Sequence, residues 1–246
     1  MASNRPASAE IQPGPGFRVR RDFPRLPAEL CKALLEFDVP TLSDQLNRLY
    51  AVCPEIRCLT SPTHRLAAPV CTVRCYPGDN LMVHKALDVA KPGDVIAIDA
   101  SYSHGAATAV LGDLIATKAR HRGIAGFLVD GLVRDLRGIQ EVDMPVFARG
   151  TTPVGPLHRG PGELNYPIAL GGVVTRPGDV AVADESGIVI VPANAVEDVL
   201  LALGAKVAGS RAYHAAVRRG EFSNRWVDDE LAKHACPINE EVEWIR

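Results

Sequence analysis

The chain has 246 residues, 47% of them hydrophobic, enough to bury the core of one large domain or two small ones. A formal net charge of −2 leaves no cationic excess of the kind that sequence-independent phosphate binding requires, which excludes nucleic acid as a direct ligand. No run approaches the ~18 apolar residues of a membrane span and no secretory h-region is present, so the chain reads as soluble and cytoplasmic, with no membrane partner.

In chain order, residues 1–25 read as an arm, because their Pro, Gly, Ala and Ser cannot form a packed element. Residues 26–37 set Leu30, Leu34 and Phe37 at helical spacing, and a second short helix follows with Thr41 as N-cap and Asp44 three residues later. The stretch 67–76 alternates like a half-buried strand, and 77–94 reads as turn, helix, turn. V-I-A-I-D-A is a continuous apolar strand. G-D-L-I-A-T-K-A-R-H-R-G is a helix closed by Gly123, with Lys118, Arg120 and Arg122 in its last turns where the dipole favours cations. The strand I-A-G-F-L-V-D leads into G-L-V-R-D-L-R-G. Residues 145–153 and 168–174 are further strands separated by a Gly/Pro-rich loop, and 177–192 is a hairpin turning at D-E-S-G before a long helix. P-G-D precedes an apolar strand at both 92–94 and 177–179, which marks recurring turn chemistry rather than a repeat architecture.

Alternating strands and helices followed by clustered strands predict an α/β layered domain with a mixed central sheet. The domain is bounded at residues 26–205, with 206–246 as a helical tail that makes a subunit contact. The six cysteines, Cys31, Cys53, Cys58, Cys71, Cys75 and Cys236, lack C-x-x-C spacing and read as free structural thiols.

Ligand sites in such folds gather at strand ends. Acids stand there at Asp99, between Asp130 and Asp135, and at Asp113, where Gly112 and Asp113 open a helix. A helix start offers free N–H groups to carboxylates or phosphates, although Asp113 can equally satisfy them itself as a cap. Arg134 lies twenty-one positions beyond Asp113, the length of one helix plus one strand, so the two can meet at one sheet edge. Asp135 suits Mg²⁺, which keeps its waters and takes one or two carboxylates, and the planar Arg134 guanidinium suits a carboxylate or enolate oxygen. The plainer alternatives are that Asp135 caps the next helix and that Arg134 is a solvated charge.

From about Thr41 to Pro192 the chain resembles the RraA-like family, which includes class II pyruvate aldolases acting on 4-hydroxy-4-methyl-2-oxoglutarate and 4-carboxy-4-hydroxy-2-oxoadipate. The matching motifs are G-D-L-I-A-T-K-A at 112–119, V-D-G-L-V-R-D at 129–135, P-V-F-A-R-G-T-T-P at 145–153 and D-E-S-G-I-V-I-V-P at 184–192. The resemblance implies a layered α/β/α swivelling-type fold and a carbon–carbon lyase. It implies that Asp135 coordinates Mg²⁺ or Mn²⁺, that Arg134 contacts the bound pyruvate, and that Asp113 holds metal-bound water. Gly112, Leu114 and Ile115 would then receive the pyruvate carboxylate at the helix start. It also implies homotrimers, or hexamers of paired trimers, and oxaloacetate decarboxylation as a companion activity. A glutamate from the adjoining subunit completes such sites, with Glu221 a candidate. The sequence departs from many relatives in having Val110-Leu111 before Gly112 and in its long tail. His84 and His104 read as packing or hydrogen-bonding histidines, and the basic cluster at 18–21 as a solvated face or subunit contact. Two alternatives of other classes are a regulator that inhibits ribonuclease E by protein contact, against which the acid at position 135 argues, and a methyltransferase, for which no Gly-rich cofactor turn is present.

Overall fold

The computed structural model describes residues 10–101 and 107–238. The chain divides into two compact units, residues 1–202 and 203–246. The first opens with β1 (Phe17–Val19), α1 (Ala28–Leu34), α2 (Val39–Gln45) and the short β2 (Arg57–Cys58). Next come β3 (Leu66–Cys75), α3 (Leu81–Val89), β4 (Val95–Asp99), β5 (Ala109–Leu111), α4 (Asp113–His121), β6 (Gly126–Val133), α5 (Leu136–Val142) and β7 (Val146–Thr151). The strands β8 (Gly162–Leu164), β9 (Ile168–Leu170), β10 (Val173–Thr175), β11 (Val180–Asp184) and β12 (Gly187–Val191) then lead to α6 (Val196–Arg218) and α7 (Arg225–Lys233).

The main sheet runs β1-β8-β3-β4-β6-β7-β2. Its heart, β3-β4-β6-β7, is parallel, while β8 and β2 pair antiparallel at its flanks. The β11–β12 hairpin joins the first half of β3, and β5 pairs in parallel with the end of β6. This is the layered α/β fold with a mixed sheet that the alternation of elements predicts.

Period-two alternation sorts the core into two layers. Ile96, Ile98, Phe127 and Val129 face one way, against Val83 of α3, Ala116 of α4 and Ile139 of α5. Val95, Ala97, Leu128 and Phe147 face the other, against Leu170 and Val173 of the β9–β10 hairpin and Ile188 and Ile190 of β12. Phe127 and Phe147 are fully buried on opposite sides of the sheet. Each is worth roughly 1.5–3 kcal/mol relative to exposure.

Two expectations need correction. The helix α2 begins earlier than its apparent cap: Asp38 is the N-cap residue, Pro40 sits in the first turn and Thr41 lies inside the helix. Proline suits that place because its fixed φ is helical and its missing N–H would have been unpaired. The strand β3 alternates only over its first four residues and is then almost continuously buried, because the helical layer and the hairpins cover both faces.

The Pro-Gly-Asp turns share one geometry. Gly93 and Gly178 take φ of 90° and 91°, which glycine alone adopts without cost. The Asp94 carboxylate accepts the Lys91 N–H and the Asp179 carboxylate accepts the Arg176 N–H, both at 2.8 Å. A third copy, Pro77-Gly78-Asp79, precedes a helix instead of a strand, and its aspartate turns to the N–H groups of Leu81 and Arg159.

The six cysteines are free, and Cys31, Cys71 and Cys75 are buried. Burial pushes the Cys71 thiol up to about 12. Among the described residues no helix is long and apolar enough to cross a membrane.

Candidate active site

The chain leaves β5, fully buried, and enters α4 through Gly112 in extended conformation. At the helix start Leu114 is exposed while Ile115 is buried and anchors the first turn. Asp113 Oδ1 accepts the Leu114 N–H at 2.7 Å, so the acid occupies one of the helix's own free donors. Its side chain also presses on Gly138 of α5, where a β-carbon would lie 2.9 Å from Oδ2.

Arg134 and Asp135 reach the same place along β6. That strand carries an irregularity opposite β7: Val129 pairs with Ala148 and Leu132 pairs with Gly150, so Asp130 and Gly131 together face Arg149. Such a bulge re-aims the residues beyond it. On its far side the Arg134 N–H donates to the Leu111 carbonyl at 3.0 Å, fastening Arg134 beside the entry to α4. Asp135 then adopts the left-handed conformation, φ 55° and ψ 41°, and its side chain makes no capping hydrogen bond to α5. Asp135 is the N-cap residue of α5 by position, its carbonyl accepting the Ile139 N–H at 3.0 Å, but its carboxylate takes no part in the cap. A β-carbon in that region costs on the order of 1–2 kcal/mol. Asp135 Oδ2 instead pairs with Arg134 Nε at 3.2 Å, both side chains being a little under half exposed.

Two glycines make this fit possible. A β-carbon on Gly112 would lie 2.5 Å from Asp135 Oδ2, and one on Gly155 would collide with Arg134 Nη1.

Gly112, Asp113, Arg134 and Asp135 border a cleft of about 220 Å³. At roughly 30 Å³ per water that is space for about seven waters, which suits a small organic acid. Its other lining residues include Asn80, His84, Lys118 and His158. Asn80 is buried, donates from Nδ2 to the Val110 carbonyl at 2.8 Å and meets His158 Nδ1 with Oδ1 at 2.6 Å. The ring of His84 stands edge-on to His158, centroids 5.2 Å apart. Burial, reinforced by the neighbouring His158 and Lys118 and opposed by Asp79, lowers the pKa of His84.

Of the sequence-selected residues, Gly112, Asp113, Leu114, Ile115, Arg134 and Asp135 all line this one cleft. His84 lines it as well, while His104 lies outside the described residues. Asn80 and His158 are cleft residues that sequence reasoning missed. The available signal was a histidine inside the Gly/Pro-rich P-V-G-P-L-H-R-G-P-G loop, since loops carried by a rigid scaffold concentrate binding groups.

The other acids at strand ends have structural partners. Asp130 is buried, bonded to Arg149 Nε at 2.5 Å and to the Gly171 N–H at 2.7 Å. Asp99 accepts the Ser101 hydroxyl at 2.8 Å and faces Arg74 Nε at 3.4 Å. In the basic cluster, Arg18 pairs with Glu163 at 2.6 Å and stacks over Tyr166, as does Arg20. Glu221 belongs to the second unit, where it is exposed and pairs with Arg219 at 2.6 Å.

The model of the RraA-like family, described as Aldolase/RraA, matches residues 39–190. The chain belongs to the RraA-like family. Within that family it is 40% identical over 182 residues to a Halalkalibacterium halodurans protein named "Putative 4-hydroxy-4-methyl-2-oxoglutarate aldolase", a match spanning 73% of this chain and 85% of the relative. Among solved structures, an uncharacterized protein from Pseudomonas syringae pv. tomato superposes with a TM-score of 0.71 at 26% identity, over 82% of this chain and 93% of that one. Streptomyces coelicolor RraAS2, described as an unusual member of the RNase ES inhibitor RraA protein family, gives a TM-score of 0.68 at 26% identity, over 78% of this chain and 99% of that one. The RraA-like match spans the cleft's helix start, its Arg-Asp pair and its histidine wall alike.

Proposed function

We propose that this RraA-like protein is a divalent-metal-dependent aldolase that cleaves a 4-hydroxy-2-oxo acid to pyruvate and a second oxo acid or aldehyde, with oxaloacetate decarboxylation as a side activity. The single observation that carries the reading is Asp135, held in a strained left-handed conformation with its carboxylate uncommitted to any helix cap and set against Arg134 under the bare backbone of Gly112. Strain of that kind at a cleft is a hallmark of a functional position. The name of the Halalkalibacterium halodurans relative points to the same reaction class.

The donor set fits Mg²⁺ or Mn²⁺. Among the described residues no three His, Cys, Asp or Glu side chains converge as a closed metal cage. A hard dication does not need one, because it binds through one or two carboxylates and leaves the remaining positions to water and substrate. Asp135 would hold it, and when bound it supplies a Lewis acid that draws electron density from a 2-oxo acid.

The chain's own residues do the rest. Arg134 places a permanent, planar positive charge where a pyruvate-derived oxyanion develops. The start of α4, at Gly112, Leu114 and Ile115, receives the substrate carboxylate, displacing Asp113 Oδ1 from the Leu114 N–H. Asp113, released in that exchange, orients water within the cleft. Carbon–carbon cleavage and loss of carbon dioxide from oxaloacetate both leave the same enolate, so one arrangement of charges serves both reactions. Assembly as a homotrimer or hexamer accompanies this reading, and sedimentation equilibrium tests it.

The deciding experiment is pyruvate release coupled to lactate dehydrogenase across a panel of 4-hydroxy-2-oxo acids and oxaloacetate, with Mg²⁺ or with EDTA. Turnover that needs the ion and vanishes in Asp135→Ala is expected. The kinship with RraAS2 favours one other reading, a protein-binding regulator of ribonuclease activity. In that case the whole panel stays silent.

A further inference from the structure

Retro-aldol cleavage makes a demand that decarboxylation does not. The 4-hydroxyl of the substrate must lose its proton, so a base has to stand in the cleft. His158 is built for that task, and its tautomer is set by its neighbours. The Asn80 amide nitrogen is engaged with the buried Val110 carbonyl, so the amide oxygen is the atom facing His158 Nδ1. An amide oxygen only accepts, hence Nδ1 carries the proton, and the neutral ring bears its lone pair on Nε2.

The ring is also held in place. Its loop is stitched to the turn at residues 78–80: the Leu157 N–H donates to the Gly78 carbonyl at 2.7 Å, the Asn80 N–H donates to the Leu157 carbonyl at 3.0 Å, and the Arg159 N–H donates to Asp79. Three residues before His158 in the same loop, Gly155 abuts Arg134 Nη1. Val110, the anchor of Asn80, is two residues from Gly112. The base, the guanidinium and the helix start are thus connected by short, hydrogen-bonded stretches of backbone around a cleft of about 220 Å³.

Resting on the proposed aldolase reading, we infer that His158, oriented by Asn80, is the general base for the 4-hydroxyl of the substrate. Nε2 takes the hydroxyl proton, and the O–H electron pair becomes the second bond of the new carbonyl at C4. The C3–C4 bond breaks, and its electrons form the C2–C3 double bond while the C2 oxygen takes the negative charge beside Arg134. The proton on Nε2 then passes to C3 to complete pyruvate, returning His158 to its starting form.

The test compares two reactions in one protein. In His158→Gln, metal-supplemented cleavage of the best 4-hydroxy-2-oxo acid is measured beside decarboxylation of oxaloacetate, which has no hydroxyl to deprotonate. Cleavage is expected to fall about 100-fold or more relative to decarboxylation, the scale of a lost general base. Separately, ¹⁵N-histidine spectra of the native protein at neutral pH are expected to show His158 protonated on Nδ1 and bare on Nε2. An unchanged ratio of the two activities, or the opposite tautomer, overturns the assignment of His158 while leaving the aldolase reading intact. Absence of pyruvate release from every substrate by the native protein overturns the aldolase reading and this inference with it.

Discussion

The carboxylate of Asp135 fills the space that a β-carbon on Gly112 would need: an ideal Cβ there would stand 2.5 Å from Oδ2 and 3.1 Å from Arg134 Cγ. Gly112 itself is extended, with φ −141°, so alanine would meet no backbone penalty at this position. Its effect would be steric and confined to the Arg134–Asp135 pair. Gly112→Ala is therefore expected to keep the native circular dichroism spectrum and to lower kcat/KM for pyruvate release about 100-fold, the usual result of misplacing a reacting group by an ångström.

Backbone strain at Asp135 separates stability from activity. Glycine relieves the left-handed conformation whereas alanine retains its penalty, so Asp135→Gly should unfold in urea with about 1 kcal/mol more stability than Asp135→Ala. Neither variant should turn over substrate. Equal stability of the two would show that position 135 is not strained in solution.

The buried Asp130 depends on Arg149 for its charge balance. Arg149→Ala leaves that carboxylate without its cation, and a loss of about 3 kcal/mol in urea unfolding is expected. Adding Asp130→Asn, which removes the charge but still accepts the Gly171 N–H, should recover part of the loss. Additive losses in the double variant would contradict the pairing.

At the N-terminal side, Arg25, Lys91 and the Phe23 N–H draw the Asp22 carboxyl down from the ordinary 3.8 to about 2. A folded-state pKa below the unfolded value contributes stability above pH 4, and that contribution disappears as pH falls from about 4 to about 2. Asp22→Asn should thus lower Tm at pH 7 and match the native protein below pH 2. High salt should shrink the difference, because the group is exposed.

Gly112, Asp113, Arg134 and Asp135 stand out in the sequence because glycine before an acid at a helix start and a cation beside an anion after a strand are locally unusual. Asn80 and His158 do not, because each acquires its meaning from the other across 78 positions. Asp130 misleads in the opposite sense. It looks like an acid at a strand's end, yet β6 runs on through it to Val133, and its partners Arg149 and Gly171 lie on segments with no local link to it.

By itself the sequence determined where chain direction and exposure change. Apolar runs gave the parallel strands, the 3.6-residue period and a closing glycine gave α4, and Pro-Gly-Asp gave the turns that enter β4 and β11. These are decided by forces acting within a few residues. Only the tertiary structure decided the burial of both faces of β3, the pairing of β1 and β8 within a stretch that reads as arm and loop, the bulge that aims Arg134 at Leu111, and the Asn80–His158 contact. Each of these depends on which distant segments share the space around a side chain, and that is settled by packing of the whole domain.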